Sequence, residues 1–248
     1  MNLAVLVKLV PDTEASLKIG EDRKYISTAD VNFVLNPYDE YAVEEALKLK
    51  EKHGGTVTVI SLGGDEAVKA LRNSLAMGAD EGVHVRTPGG LDMLGVAKAL
   101  TAAIKDKGYD LILAGKQAVD DDCGAIGPMV ATLLGIPHVS NVIKLDVETT
   151  KLTAEREFES GVERYEAPLP ALITAQKGLN EPRYASLKGI MMAKKKQIAE
   201  IAAEPVAAKT EVVQLNYPPV RPPGKIVGQG VGAVPELVRL LKEEAKVL

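Results

Sequence analysis

Two kinds of segment take turns along the chain. Residues 3–10 are a nearly continuous apolar run that stops at Pro11-Asp12, the pattern of a strand buried on both faces of a parallel sheet. Asn36-Pro37 then opens a helix: Asn36 is a capping residue type, Pro37 suits the first helical position, and Asp39 lies in the acid-favouring first turn. Ala42, Val43, Ala46, Leu47 and Lys50 continue one face until Gly54-Gly55 breaks it. Residues 56–62 form a β-branched strand that runs into Gly63-Gly64-Asp65 and a helix reaching Met77, which Gly78 ends. A short strand at 82–85, an amphipathic helix at 91–107 and a buried strand at 111–114 follow, and a further helix starts near Gly124. This alternation predicts an α/β fold on a doubly wound, mostly parallel sheet.

The pattern changes after Ile136-Pro137. Residues 139–147, 152–159 and 162–166 alternate like antiparallel strands, with a turn-like Thr149-Thr150-Lys151 between the first two, and 171–175 reads as a final buried strand. Between 204 and 224, Pro205, Pro218, Pro219, Pro222 and Pro223 forbid a regular element, so the chain is expected to run extended over a surface before a last helix at 235–246. Such an arm either embraces a partner subunit or folds back on its own domain, and composition does not decide between the two.

Composition narrows the function classes. At 46% hydrophobic and 26% charged the chain is too apolar for disorder, and 248 residues suffice for one sizeable core with an appendage. A net charge of -4 supplies no positive field to draw in a polyanion, which argues against nucleic acid as the primary partner. Cys123 is the only cysteine, so there is no internal disulfide framework and no zinc-type cluster, and a reducing, cytoplasmic setting is expected. The apolar N-terminal run is too short to span a bilayer and lacks a basic n-region, so no membrane insertion is expected.

The chemistry concentrates in residues 115–127, GKQAVDDDCGAIG, between a strand and a helix. Its small residues Gly115, Ala118, Gly124, Ala125 and Gly127 let backbone approach a ligand, and N–H groups at Gly124, Ala125 and Ile126 would face an anion at the helix N-terminus. The end of a parallel strand is also where open α/β sheets bind nucleotides. An equally economical reading is a tight turn with Asp122 as N-cap, since neither the P-loop nor the G-x-G-x-x-G spacing is present. The three aspartates oppose phosphate, and would instead receive ribose hydroxyls or brace the loop. Cys123, next to a helix N-terminus, is a candidate for a lowered thiol pKa. His53, His84 and His138 fall at a helix end, in a strand and near a Pro-flanked turn, with no triad pattern around them. At 179–196, LNEPRYASLKGIMMAKKK, either the lysines are the solvated end of a short helix, or Leu187 is an apolar knob with a charged rim that anchors a protein.

Several separated motifs together resemble the β subunit of electron-transfer flavoproteins over essentially the full length: VLVKLVPD, NPYDEYAVEEALKLKEK, AMGAD, GKQAVDDDC, ERE at 155–157, and NEPRYASL with its lysine run. The resemblance implies a heterodimer with an α subunit that holds most contacts to a redox FAD, the β subunit closing one side and binding AMP. It implies an electron carrier without catalytic residues, accepting electrons from acyl-CoA dehydrogenase-type flavoenzymes in fatty acid β-oxidation and passing them to a respiratory oxidoreductase. Carried over residue by residue, Tyr38 matches the aromatic that approaches the flavin, while the family's second such aromatic stands at Thr13. Leu6 and Leu62 at strand ends, Ala118 and Asp121 around the adenosine, and the backbone of Gly124, Ala125 and Ile126 at the phosphate match the AMP positions. Many relatives have Asn and Gln where Gly124 and Ala125 stand. Leu187 matches the leucine of the recognition loop that docks on dehydrogenases. On this basis residues 1–186 are an α/β nucleotide-binding domain, and 187–248 hold the recognition loop, the arm and the C-terminal helix.

Some relatives bind a second FAD in place of AMP and bifurcate electrons from NADH. Gly127-Pro128 resembles that branch, whereas NPYDEYAVEEA, DDDC in place of DGDT, and NEPRYASL are closer to the one-FAD type, which is favoured. Two further readings are a flavin-free adenine-nucleotide-binding regulatory or hydrolytic domain, for which the loop lacks a lysine in P-loop spacing, and a purely structural subunit.

Overall fold

The computed structural model describes residues 1–221 and 223–248; Pro222, one of the prolines assigned to the arm, lies outside them. The first apolar run is two strands rather than one. β1 (Asn2–Leu6) is buried in the sheet, and β2 (Leu9–Pro11) leaves it to pair antiparallel with β3 (Phe33–Leu35). The break falls where the Lys8 backbone N–H turns to the Asp39 carboxylate, at 2.7 Å, instead of to a neighbouring strand.

Helix α1 (Pro37–His53) begins with proline at its start and ends where Gly54, at φ 72, leaves the helical region. β4 (Thr56–Gly63), a short 3-10 turn (Asp65–Ala67), α2 (Val68–Met77) and β5 (Glu81–Arg86) follow, then α3 (Met93–Ile104), β6 (Leu111–Gly115) and α4 (Ile126–Leu134). β7 (His138–Val147), β8 (Lys151–Phe158) and β9 (Gly161–Pro168) form an antiparallel meander, and β10 (Ala171–Ala175) returns to lie between β6 and β7. The chain closes with α5 (Leu187–Lys195), β11 (Ile198–Ala202) and α6 (Val234–Glu243).

The main sheet has the order β11-β5-β4-β1-β6-β10-β7-β8-β9, parallel from β11 to β7. Strand alternation sorts side chains onto its two faces. Leu3 and Val5 pack with Val43, Leu47, Leu71 and Leu75 beneath α1 and α2, while Ala4 and Leu6 pack with Ile60, Leu100, Ile112 and Val130 beneath α3 and α4. Both faces are covered, which is why the central strands read as unbroken apolar runs. β3 and β11 have no counterpart in the sequence pattern. β11 is an edge strand whose residues are half exposed, so burial imposes no clear alternation on it.

The alternating stretch at 139–166 does form antiparallel strands, but β7 also pairs in parallel with β10, which makes it the hinge between the two parts of the sheet. The arm from about 204 onward lies in part against its own body: Leu215 N–H donates to the Arg23 carbonyl at 2.6 Å, and the Tyr217 hydroxyl accepts from the Ile19 N–H at 2.9 Å.

Candidate nucleotide-binding site

Chain order runs from β1 outward to β4 and β5, then crosses back to β6 on the other side of β1. The connections from β1 and β6 therefore leave toward opposite faces, through α1 and α4, and open a crevice at the carboxyl ends of these strands. A cleft of about 310 Å³ lies there, lined by Leu6, Ile60 and Leu62 from the strands, by Asp92, Met93 and Val96 from the start of α3, and by the β6–α4 loop. Leu6, Leu62, Ala118, Asp121, Gly124, Ala125 and Ile126 all line it, although they are spread over nearly half the sequence. Its size is at the small end of ligand cavities, roughly 300–1,000 Å³.

The loop is built differently from the capped turn that Asp122 suggests. α4 begins at Ile126, two residues past Gly124, with Ala125 in the cap position and no side-chain cap. Asp122 has φ 52 and turns its carboxylate to Gln117 Nε2, at 2.5 Å, too far back along the chain to reach the helix start. Among the described residues the N–H groups of Gly124, Ala125 and Ile126 have no protein acceptor. Three unpaired donors at the positive end of a helix are the chemistry that receives a phosphate. The positive φ of Gly124, 60°, makes this backbone approach possible without Cβ strain.

The aspartates brace the loop and neutralise a lysine. Lys8 Nζ lies 2.7 Å from Asp120 and 3.3 Å from Asp121, and Asp121 also accepts the Cys123 N–H at 3.0 Å. Burial works to lower the Lys8 pKa, but the Asp120 hydrogen bond and the charges of Asp120 and Asp121 outweigh it and raise the value. The thiol of Cys123 is corrected in direction: although the residue is exposed, slight desolvation and the Asp121 charge push its pKa up, because the nearest charges are carboxylates and the helix starts three residues later. These surroundings disfavour the Cys123 thiolate.

The floor of the cleft holds a knot that sequence reasoning missed. Asp39, 5% exposed, accepts from Lys8 N–H (2.7 Å), Asn36 Nδ2 (2.9 Å) and Gly115 N–H (3.1 Å), so one carboxylate ties the ends of β1 and β6 to the start of α1. Burial pushes its pKa up to about 7 against the pull of these three donors. Asn36, expected to cap α1 with its side chain, instead donates to Asp39 and to the Gln117 carbonyl (2.9 Å) and accepts the Val119 N–H (3.2 Å). The available signal was the spacing of Asp39 with Val43 on the inward face of the helix. Asp92 marks the other lip. It caps α3 through Gly95 N–H (2.8 Å) and accepts the backbone N–H groups of Lys209 and Thr210, fastening the arm beside the cleft. The Gly95 bond first, then that to Lys209, lowers its pKa.

The other two candidate residues lie outside the cleft lining. Tyr38, half-buried at the start of α1, has Lys116 Nζ 4.9 Å from its ring centroid and backs onto Gly115, where a Cβ would come within 2.7 Å of the Tyr38 Cβ. Thr13 is exposed just past β2. Leu187 opens α5 on the α1/α2 side and is 83% exposed. Lys194 and Lys195 are solvated at the end of that helix, but Lys196 turns inward and donates to the Ala79 carbonyl. His84 is buried, with Nε2 3.1 Å from the Gly63 carbonyl, while His53 and His138 are exposed, and the three histidines do not meet. Among the described residues no group of acidic, His and Cys side chains could hold a metal, and no helix is long and apolar enough to cross a membrane.

A doubly wound sheet with a ligand-sized crevice at its switch point and unpaired N–H groups at a helix start places the chain among the open α/β folds, whose ligands sit at the carboxyl ends of the strands. Residues 25–206 match the family described as Electron transfer flavoprotein domain. The chain is 42% identical to the electron transfer flavoprotein subunit beta of Bacillus subtilis (strain 168), covering all of both chains. It is 40% identical to the subunit of that name from Syntrophomonas wolfei, over all of this chain and 99% of the relative, and 40% identical to the mitochondrial one of Oryza sativa subsp. japonica, over all of both. The chain belongs to the electron-transfer flavoprotein β-subunit family.

Proposed function

We propose that this chain is the β half of a one-FAD electron carrier: it pairs with an α subunit to enclose FAD, holds AMP in the β1/β6 cleft, and docks on acyl-CoA dehydrogenase-type flavoenzymes through Leu187. The observation that carries the nucleotide reading is the convergence of Leu6, Leu62, Ala118 and Asp121 with the three acceptor-less N–H groups of Gly124, Ala125 and Ile126. The apolar strand ends offer a surface for a base, Asp121 an acceptor for ribose hydroxyls, and the helix start a seat for a monophosphate.

FAD, when bound, supplies the redox chemistry, so the chain needs no acid, base or nucleophile of its own. Its residues orient and exclude water: Tyr38, backed by Gly115 and Lys116, offers an aromatic edge to the flavin from this subunit. The α subunit has a surface to cover in the arm, where Val220, Ile226 and Val231 are exposed, and in α6, whose Leu237 and Val238 are exposed on one face.

Gly127, the feature shared with the bifurcating branch, has a packing explanation here. A Cβ would lie 2.6 Å from Thr174 Cγ2 and 3.4 Å from Leu172, so α4 sits on β10 only because the residue is glycine. That packing accounts for the glycine of the Gly127-Pro128 pair and not for Pro128, and the choice of AMP over a second FAD rests on NPYDEYAVEEA, DDDC and NEPRYASL, which are closer to the one-FAD type. The test is coexpression with the α subunit: the complex should carry flavin absorbance and the isolated chain none. Flavin bound by the isolated chain, or a colourless complex, would contradict the proposal.

A further inference from the structure

Leu187 stands out from the body, yet the segment that leads to it is tied to α1 by several side-chain bonds. Arg183 grips Glu44 of α1 with both arms of its fork, Nε at 2.8 Å and Nη2 at 3.0 Å, and its backbone N–H adds a third bond at 3.1 Å. Its remaining nitrogen reaches Glu51 at 2.6 Å. Three residues earlier Asn180 donates to the Tyr41 carbonyl (3.0 Å) and to Glu45 (2.9 Å). The side chains of Glu44 and Glu45 are each 7% exposed while that of Arg183 is 35% exposed, so the Arg183–Glu44 pair is half-withdrawn from water and bidentate, unlike an ordinary surface ion pair.

Beyond the clasp Ser186 caps α5 through Gly189 N–H at 3.0 Å, and the helix is then pressed onto α2. Gly189 lies so close that a Cβ would collide with the Ala76 carbonyl, Ala193 is buried, and Arg72 bonds the Ala193 and Lys196 carbonyls. Tyr184 and Leu187, one residue and four residues past the clasp, are meanwhile 98% and 83% exposed. A docking residue on an extended surface segment would lose conformational freedom when a partner orders it. Here that ordering is already complete. Glu44, Glu45 and Glu51 also belong to the helix that begins with Tyr38, so one rigid element carries both the flavin-facing aromatic and the support of the docking leucine.

We propose that Arg183 and Glu44 are positioning residues for partner docking: their bidentate pair holds Leu187 in a fixed place relative to α1, so that a partner flavoenzyme meets a pre-ordered anchor. This rests on the reading of Leu187 as the docking residue. Neither side chain touches the cleft or Tyr38, so the pair acts through Leu187 and not on the cofactors.

The test uses the αβ holoprotein as electron acceptor for an acyl-CoA dehydrogenase reduced by its own substrate, with the carrier concentration varied. Arg183→Gln should raise the KM for the carrier about tenfold, the equivalent of roughly 1.4 kcal/mol of lost pre-ordering, with kcat, flavin content and flavin spectrum unchanged. Glu44→Gln should do the same, and the double variant should be no worse than the poorer single one, since both break one pair. Glu51→Gln, which removes only the outer bond, should raise KM about threefold and serves if Arg183→Gln does not fold. Unchanged KM in these variants, alongside a raised KM for Leu187→Ala, overturns the positioning role while leaving the docking reading intact. Loss of flavin or of kcat without a change in KM overturns it in favour of a merely structural role. An unchanged KM for Leu187→Ala removes the docking reading itself, and this inference with it.

Discussion

Asp39→Asn tests how the floor of the cleft is held. The substitution keeps the shape but replaces one acceptor oxygen with an amide nitrogen, which can only donate. If the remaining oxygen keeps the Asn36 and Gly115 bonds, the new NH2 faces the Lys8 N–H across 2.7 Å, two donors opposed in a buried place. An unsatisfied buried donor costs about 1–3 kcal/mol. A protonated aspartic acid avoids this, because its hydroxyl oxygen still accepts, so the comparison depends on pH. With its pKa raised from about 3.8 in the unfolded chain to about 7 in the fold, Asp39 contributes stability that is fully present below pH 4 and is lost as pH rises through 7. The amide has no such slope. At about 1.4 kcal/mol per pH unit over the part of that window lying between pH 5 and 8, the wild type should lose roughly 2–3 kcal/mol relative to the variant. Urea unfolding of both proteins at pH 5 and pH 8 reads this directly: a deficit of about 1–3 kcal/mol for the variant at pH 5, closing or reversing at pH 8. A deficit that widens with pH would refute the reasoning, and would mean that the three donors outweigh burial and keep Asp39 ionised.

Leu187→Ala should impair electron uptake from a dehydrogenase in stopped-flow mixing while flavin content stays at the wild-type level; unchanged transfer kinetics would remove the leucine from the docking surface. Gly127→Ala should destabilise the fold by about 1–3 kcal/mol in urea titration, because the added methyl enters the contact of α4 with Thr174 and Leu172. Indifference to that change would reopen a ligand-based reason for the glycine. Cys123, though exposed, should alkylate with iodoacetamide more slowly than a free cysteine at pH 7.5, since slight desolvation and the charge of Asp121 favour the protonated thiol. Faster labelling than the free amino acid would restore it as a reactive thiol.

The strands at the centre of the sheet were legible because burial on both faces leaves an apolar run that only such a position explains, as in Leu111 to Ala114. β3 and β11 were not, since each gains its order from a partner distant in sequence: β11 reads along β5 from Ile198 opposite Gly82 to Ala202 opposite Arg86. The loop at 115–127 was legible as a backbone feature. Its side chains were not, because Asp122 had a capping composition but a positive φ that aims it at Gln117, and Cys123 had a helix start nearby but carboxylates nearer still. The cleft as a whole draws on residues from Leu6 to Gly127, and only the family motifs could join them before a fold was in hand. Asp39, Asn36 and Asp92 escaped for a common reason: each is a residue type that serves helix starts, and nothing local tells a cap from a long-range knot. Tyr38 was proposed through motif resemblance and Leu187 through its basic surroundings and the same resemblance, whereas the Arg183 clasp behind Leu187 needed the packing of 180–183 on α1 to become visible.

Denaturing the purified αβ complex and identifying the released nucleotides by chromatography and mass spectrometry tests the central claim most directly. The account predicts one FAD and one AMP per heterodimer. Two FAD and no AMP would contradict the reading of the β1/β6 cleft, and ATP or ADP without flavin would contradict the carrier function altogether.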